Sequence, residues 1–154
     1  MAEQLKNLYS KEFILKLANK LFLIYSNFEK ENFINSIFDN SWENLELKQR
    51  MRHIALILHE LLPFTYDKQL ETLKKTKEDF TGLEAMIFQD FVEVFGLDDF
   101  EESMKALEVF TINSSSEFAI RQFILKYENE TMNQMKLWSQ SSNEHLRRLA
   151  SEGC

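Results

Sequence analysis

The chain has 154 residues, of which 44% are hydrophobic, and its 25 acidic and 18 basic side chains give a net charge of −7. At this length a chain buries about 70% of the surface that its unfolded form exposes, so a core can form without disulfides or metal. The single cysteine, Cys154, excludes a disulfide framework and a zinc site built on cysteines. No stretch reaches the 18 apolar residues or so of a membrane span. No signal-peptide pattern opens the chain, and we expect a cytoplasmic protein.

The charge is unevenly distributed along the chain. Residues 1–112 carry 13 basic and 20 acidic side chains, whereas residues 113–154 carry 5 of each. The overall negative charge argues against a nucleic-acid partner, because binding phosphates requires local positive charge. The balanced C-terminal stretch is therefore the part of the chain that can face an anion.

Glycine and proline are scarce, with three and one residues, and this predicts few of the tight turns that join strands. Apolar residues recur instead at spacings of three and four, which is typical of amphipathic helices. The pattern predicts helices over residues 10–26, 33–37, 42–62, 67–79, 84–95, 115–127, 131–140 and 144–153, with one more after residue 98.

Several residues mark the predicted helix ends. Pro63 ends the third helix, because proline lacks the amide hydrogen and clashes with the preceding turn. Gly82 separates two helices, and Gly96 stands where a left-handed C-cap is expected. Asp98 and Glu101 have the spacing of an N-cap and its N3 partner.

The short helices follow one another in pairs with tight links. Apolar stripes this short need neighbours on both sides, which favours stacked helical hairpins. We therefore predict an all-α fold, an α-solenoid of antiparallel helix pairs, in one domain over residues 1–154.

Glu117 has two interpretations. Ser114 and Glu117 have the spacing of a capping box, in which the serine hydroxyl and the carboxylate each bond the other residue's backbone amide. A carboxylate at a helix start can instead point across a groove at a substrate, with Arg121 one turn further on to orient it. The pattern alone favours the capping box and leaves the second role open.

A second acid, Glu152, lies at the edge of the last apolar stripe, four residues after Arg148. An ordinary ion pair along the helix is the simplest interpretation. Arg147 and Arg148 are the strongest basic feature of this stretch, and the arginine side chain is well shaped to hold phosphate.

Trp138 follows Met132 and Met135 at three-residue spacing, which favours core packing, with a stacking platform for a base as the alternative. The sequence predicts no metal site, because His53 and His59 fail the spacing of a helical zinc motif. His145 is predicted to be a surface or cap histidine, since it follows a candidate N-cap, Asn143.

Five segments together resemble one known family. They are Glu-Leu-Lys-Gln-Arg-Met-Arg-His-Ile (46–54), Phe-Gly-Leu-Asp-Asp-Phe-Glu-Glu-Ser-Met-Lys-Ala-Leu (95–107), Phe-Thr (110–111), Ser-Ser-Glu-Phe-Ala-Ile-Arg (115–121) and Leu-Arg-Arg-Leu-Ala-Ser-Glu-Gly-Cys (146–154). They are similar to the AlkC branch of the AlkC/AlkD superfamily of DNA alkylation-repair glycosylases, and the likeness extends over the whole chain.

The resemblance implies a right-handed stack of HEAT-like repeats whose concave face holds duplex DNA. It implies a DNA glycosylase that cuts the bond between deoxyribose and a cationic N-alkylated base such as 3-methyladenine, with no cofactor and no metal. Glu117 and Glu152 match the acidic positions of the family's active site. On this interpretation Arg121, Arg147 and Arg148 contact DNA, and Trp138 lies at the lesion pocket.

The resemblance also implies that these residues form the N-terminal portion of a longer architecture, monomeric at full length and acting at the bacterial nucleoid. The partner it predicts is double-stranded DNA that contains alkylated bases. The rival interpretation is a non-catalytic HEAT-like scaffold that binds DNA structure or a protein partner, and the acidic N-terminal two-thirds favours it.

Overall fold

The computed structural model describes Leu5 and residues 7–112 and 114–152. The backbone groups into two compact units, the first ending at Asp79 and the second beginning at Phe80. A single domain over residues 1–154 stays a prediction. In the described residues the secondary structure consists of α-helices and short 3-10 turns, without strands, and no helix is both long and apolar enough to cross a membrane.

The first unit packs helices that follow one another along the chain. Its elements are α1 (Lys11–Ile24), α2 (Lys30–Ile37), a 3-10 turn (Trp42–Asn44), α3 (Leu47–Leu61), α4 (Tyr66–Thr76) and a 3-10 turn (Lys77–Asp79). Helix α1 packs against α2 and α4, and α2 packs against α3. Helix α3 ends directly before Leu62 and Pro63, which confirms the predicted stop.

The second unit contains the five remaining helices. Its elements are a 3-10 turn (Leu83–Ala85), α5 (Met86–Phe95), α6 (Phe100–Thr111), α7 (Glu117–Lys126), α8 (Glu128–Trp138) and α9 (Glu144–Glu152). Helix α5 packs against α6 and α7, α8 packs against α7 and α9, and α9 also contacts α6. The residue predicted to end the last helix, 153, lies outside the described residues.

Aromatic side chains fill the centre of the second unit. Phe88, Phe91, Phe110 and Phe123 are each at most 1% exposed, and the rings of Phe88 and Phe110 lie 5.5 Å apart between centroids. Burying one such side chain contributes about 1.5–3 kcal/mol of transfer free energy. This core holds the ends of α6 and α7 in place.

Two predicted helix caps between α5 and α6 are wrong. Gly96 has a φ of −106°, so it is not a left-handed cap. The turn after α5 is closed instead by a hydrogen bond from the Asp99 amide to the Gly96 carbonyl. Asp99 rather than Asp98 is the N-cap of α6, with its side chain accepting from the Glu102 amide.

Asp98 instead accepts a hydrogen bond from Lys126 Nζ at 2.5 Å. This bond holds the pKa of the Asp98 carboxyl below its usual value and raises the pKa of Lys126.

Candidate active site

An open cleft in the second unit contains both predicted catalytic acids. Its volume is about 410 Å³, and its walls are the loop before α5, the turn between α6 and α7, and helix α9. The residues that line it are Gly82, Leu83, Met86, Thr111, Ser114, Ser115, Glu117, His145, Arg148, Leu149 and Glu152. Glu117 and Glu152, 35 positions apart in sequence, thus face one cavity.

Glu117 is the first residue of α7, and the predicted capping box around it does not form. The Ser114 hydroxyl donates to the carbonyl of Gly82 at 2.8 Å, so it is not the cap of α7. Ser115 Oγ accepts the Glu117 amide at 3.2 Å. The N-cap residue is Ser116, whose side chain makes no capping bond. The capping-box interpretation is therefore wrong, because the serines have nearer partners in the folded chain.

The Glu117 carboxylate contacts Arg121, which lies one turn further along the same helix. The two side chains form a hydrogen-bonded ion pair one turn apart, with 31% of the Glu117 side chain and 53% of the Arg121 side chain exposed. The Arg121 guanidinium also lies 5.8 Å from the centre of the Phe118 ring. The predicted contact between Arg121 and Glu117 is thus present, and it leaves the carboxylate partly open to solvent.

Glu152 is held in the same way by Arg148. Arg148 Nε donates to Glu152 Oε1 at 3.2 Å, with the two side chains 70% and 51% exposed. The predicted i,i+4 pair is present, and both of its members line the cleft. Asn143 caps α9, because its Oδ1 accepts the amides of His145 and Leu146.

Arg147 has a different hydrogen-bond partner from Arg148. Its Nη1 donates to the carbonyl of Ser141 at 2.8 Å, and the residue is exposed. Arg147 is absent from the cleft lining. The structure therefore places Arg148 in the cleft lining and Arg147 outside it.

Trp138 lies in the core of the second unit. It is 2% exposed, and its indole Nε1 has no hydrogen-bond acceptor among the described residues. The core-packing interpretation of Trp138 therefore agrees with the structure, and its contact with DNA at the lesion pocket stays a prediction. The periodicity with Met132 and Met135 had indicated this core position.

Sequence reasoning missed two features of the cleft. His145 was predicted only as a surface or cap residue, yet it lines the cavity. Gly82 is the one described residue with a positive φ, +74°, and it also lines the cavity. Neither carries a local pattern that marks it, because both reach the cleft only through the packing of distant segments.

The described residues contain no group of three or more histidine, cysteine or acidic side chains placed to hold a metal ion.

The net charge of the chain resides in the unit that contains the cleft: residues 80–154 carry 6 basic and 13 acidic side chains. Of these acids, Glu117 and Glu152 line the cleft. Arg121, Arg147 and Arg148 supply local positive charge near it.

The chain is similar in sequence and in fold to known proteins. No family model matches it. It is 43% identical over 149 residues to the uncharacterized protein YhaZ of Bacillus subtilis strain 168, which covers 97% of this chain and 42% of that protein. The solved structure of the Pseudomonas fluorescens alkylpurine DNA glycosylase AlkC, bound to DNA containing an abasic site analog, is similar with a TM-score of 0.92 and 35% identity.

That match covers 97% of this chain and 42% of the AlkC chain, so the chain spans less than half the length of each of these two relatives. The similarity in sequence and in fold nevertheless extends over almost all of the chain. The fold is therefore the all-α, HEAT-like one that the sequence predicts, and the resemblance of the chain to the AlkC branch of the AlkC/AlkD superfamily is confirmed.

Proposed function

We propose that the protein containing this chain is a DNA glycosylase of alkylation repair and that Glu117 and Glu152 are its catalytic carboxylates. The observation that carries the proposal is that both side chains line one open cleft in the second unit. The similarity to AlkC, itself an alkylpurine DNA glycosylase bound to DNA, supports it. The proposed substrate is double-stranded DNA with a cationic N-alkylated base such as 3-methyladenine.

The chemistry suits carboxylates. A purine alkylated on a ring nitrogen already carries positive charge, so it leaves as a neutral base and needs no strong general acid. As the N-glycosidic bond breaks, positive charge develops on the sugar as an oxocarbenium ion. A carboxylate beside the sugar stabilises that charge, and a second one can orient the attacking water and take its proton.

The arginine partners fit this role. Each glutamate is bonded to an arginine one turn away on its own helix, which limits the rotation of the carboxylate. A guanidinium carries five N–H donors, so it can bond a carboxylate and a phosphate together. We therefore assign Arg121, Arg147 and Arg148 to the phosphate backbone, with Arg121 and Arg148 shared between glutamate and DNA.

The test is base release by the protein that contains this chain, expressed at its full encoded length. A methylated duplex is incubated with excess enzyme, and the freed base is quantified by chromatography. We expect Glu117→Gln and Glu152→Gln each to slow release by roughly 10²–10⁴-fold, the usual contribution of a positioned acid or base, with little change in the affinity for DNA.

Glu144→Gln is the matched control. Glu144 lies on the same helix as Glu152 and is exposed, but it is absent from the cleft lining. Its variant is expected to release base at the rate of the wild type. Undiminished release by both cleft variants would refute the site assignment, and DNA binding without release by the wild type would favour the non-catalytic scaffold.

A further inference from the structure

We propose that three hydroxyl groups position Glu117 for its reaction, an inference that rests on the proposed function of that residue. They belong to Thr111, Ser114 and Ser116, and we call these residues the hydroxyl clamp. All three lie in or beside the turn that joins α6 to α7. Thr111 and Ser114 also line the cleft, but the role proposed for the clamp is to hold the backbone that carries Glu117, so its members are positioning residues.

The centre of the clamp is a buried pair of hydroxyls. Thr111 Oγ1 donates to the carbonyl of Leu107 at 2.5 Å and lies 2.5 Å from Ser116 Oγ. A threonine hydroxyl has one hydrogen, so with that hydrogen on Leu107 it is the Ser116 hydroxyl that donates to Thr111. Thr111 is 2% exposed and Ser116 is 1% exposed. A hydroxyl buried to this extent is costly to leave without its partner.

This pairing replaces ordinary helix capping. A serine at the N-cap normally accepts an amide of the first helical turn with its own hydroxyl. Ser116 makes no such bond, although its carbonyl accepts the Ile120 amide at 2.9 Å and so begins α7. The start of α7 is therefore attached to the last turn of α6, and its position is set by that helix.

Two further bonds hold the same turn from the α5 side. Ser114 Oγ donates to the carbonyl of Gly82 at 2.8 Å, and Gln89 Nε2 donates to the carbonyl of Phe110 at 3.2 Å. Glu117 follows Ser116 directly, so the backbone that carries its carboxylate is anchored on both sides. Displacing a reacting group by about 1 Å can cost roughly 10²-fold in rate, which makes such anchoring matter for catalysis.

The test compares isosteric variants at two buried threonines. Thr111→Val removes the hydroxyl and keeps the shape, whereas Thr111→Ser keeps the hydroxyl. Thr76→Val is the matched control, because Thr76 is fully buried in α4 and bonds the carbonyl of Thr72 in the same way. Base release with excess full-length enzyme and the dissociation constant for the duplex are both measured.

We expect Thr111→Val to release base roughly 10- to 100-fold more slowly, with the dissociation constant for DNA changed less than twofold. Thr111→Ser is expected to retain most of the rate, and Thr76→Val all of it. If Thr111→Val does not fold, Ser116→Ala supplies the same comparison. The clamp would be overturned if Thr76→Val lost as much of the rate of base release as Thr111→Val, or if Thr111→Val kept full activity.

A second measurement is independent of catalysis. Amide hydrogen exchange of residues 114–120 is expected to accelerate at least tenfold in Thr111→Val and in Ser116→Ala, and to stay unchanged in Thr76→Val. An inactive wild type would overturn the proposed function, and exchange alone would then decide whether the hydroxyls hold this turn. Unchanged exchange in both clamp variants would overturn the clamp even where the enzyme is active.

Discussion

Replacing Gly82 with alanine tests the backbone of the loop that forms one wall of the cleft. Gly82 has φ +74° and ψ −154°, a combination that is essentially restricted to glycine. A β-carbon built on Gly82 meets nothing within 4 Å, so the substitution introduces no clash. The effect of Gly82→Ala therefore isolates backbone strain from packing.

The expected magnitude follows from two opposing contributions. Holding a residue with a side chain in this region costs about 1–3 kcal/mol. Alanine also reduces the freedom of the unfolded chain, which returns about 0.4–1 kcal/mol. With both contributions near the middle of their ranges, we expect the free energy of unfolding to fall by about 1–2 kcal/mol. For a chain of this size each kcal/mol corresponds to about 2–4 °C in Tm, so Tm should drop by about 2–8 °C.

Thermal and urea denaturation followed by circular dichroism measure this change. Thr81→Ala is the control, because Thr81 is the exposed neighbour of Gly82 and no described residue other than glycine has a positive φ. We expect that control to lie within about 0.5 kcal/mol of the wild type. A Gly82→Ala variant as stable as Thr81→Ala would refute the assigned backbone conformation.

Three other perturbations have defined outcomes. Lys126→Met removes the bond that lowers the pKa of Asp98. The variant should have a lower Tm than the wild type at pH 7, and this difference should disappear as the pH falls through the pKa of the folded Asp98. A series of Tm measurements against pH would record it. Trp138→Ala should lower the free energy of unfolding in urea by about 3–5 kcal/mol, as expected for a buried tryptophan, whereas weaker DNA binding at wild-type stability would restore a stacking role. Arg147→Ala should reduce the slope of log K against log salt for duplex binding by about 0.9, and an unchanged slope would remove Arg147 from the phosphate contacts.

Local patterns predicted most of the helices. The end of α3 before Pro63 and the breaks between helices around Gly82 and Gly96 are present, because proline and glycine act on the backbone within one turn. Helix α8 begins at Glu128, three residues before its predicted start, since Tyr127 serves as both the end of α7 and the start of α8. Helix ends depend on which neighbours offer hydrogen bonds, so they are harder to predict than helix centres.

The arginine partners of the two glutamates were also predictable. Spacings of four residues place side chains on one helix face whatever the rest of the fold does. The cleft itself was not predictable from spacing, because Glu117 and Glu152 lie on different helices. Only the resemblance to the AlkC branch indicated that the two acids act together.

The sequence by itself determined the all-α class, the apolar stripes and the ion pairs along single helices, since these depend on residues within one or two turns of each other. The tertiary structure decided the rest. It buried Trp138, gave the positive φ to Gly82 rather than Gly96, and directed the Ser114 and Ser116 hydroxyls away from α7. Each of these outcomes depends on contacts between residues that are distant in sequence and that lie close together only in the folded chain.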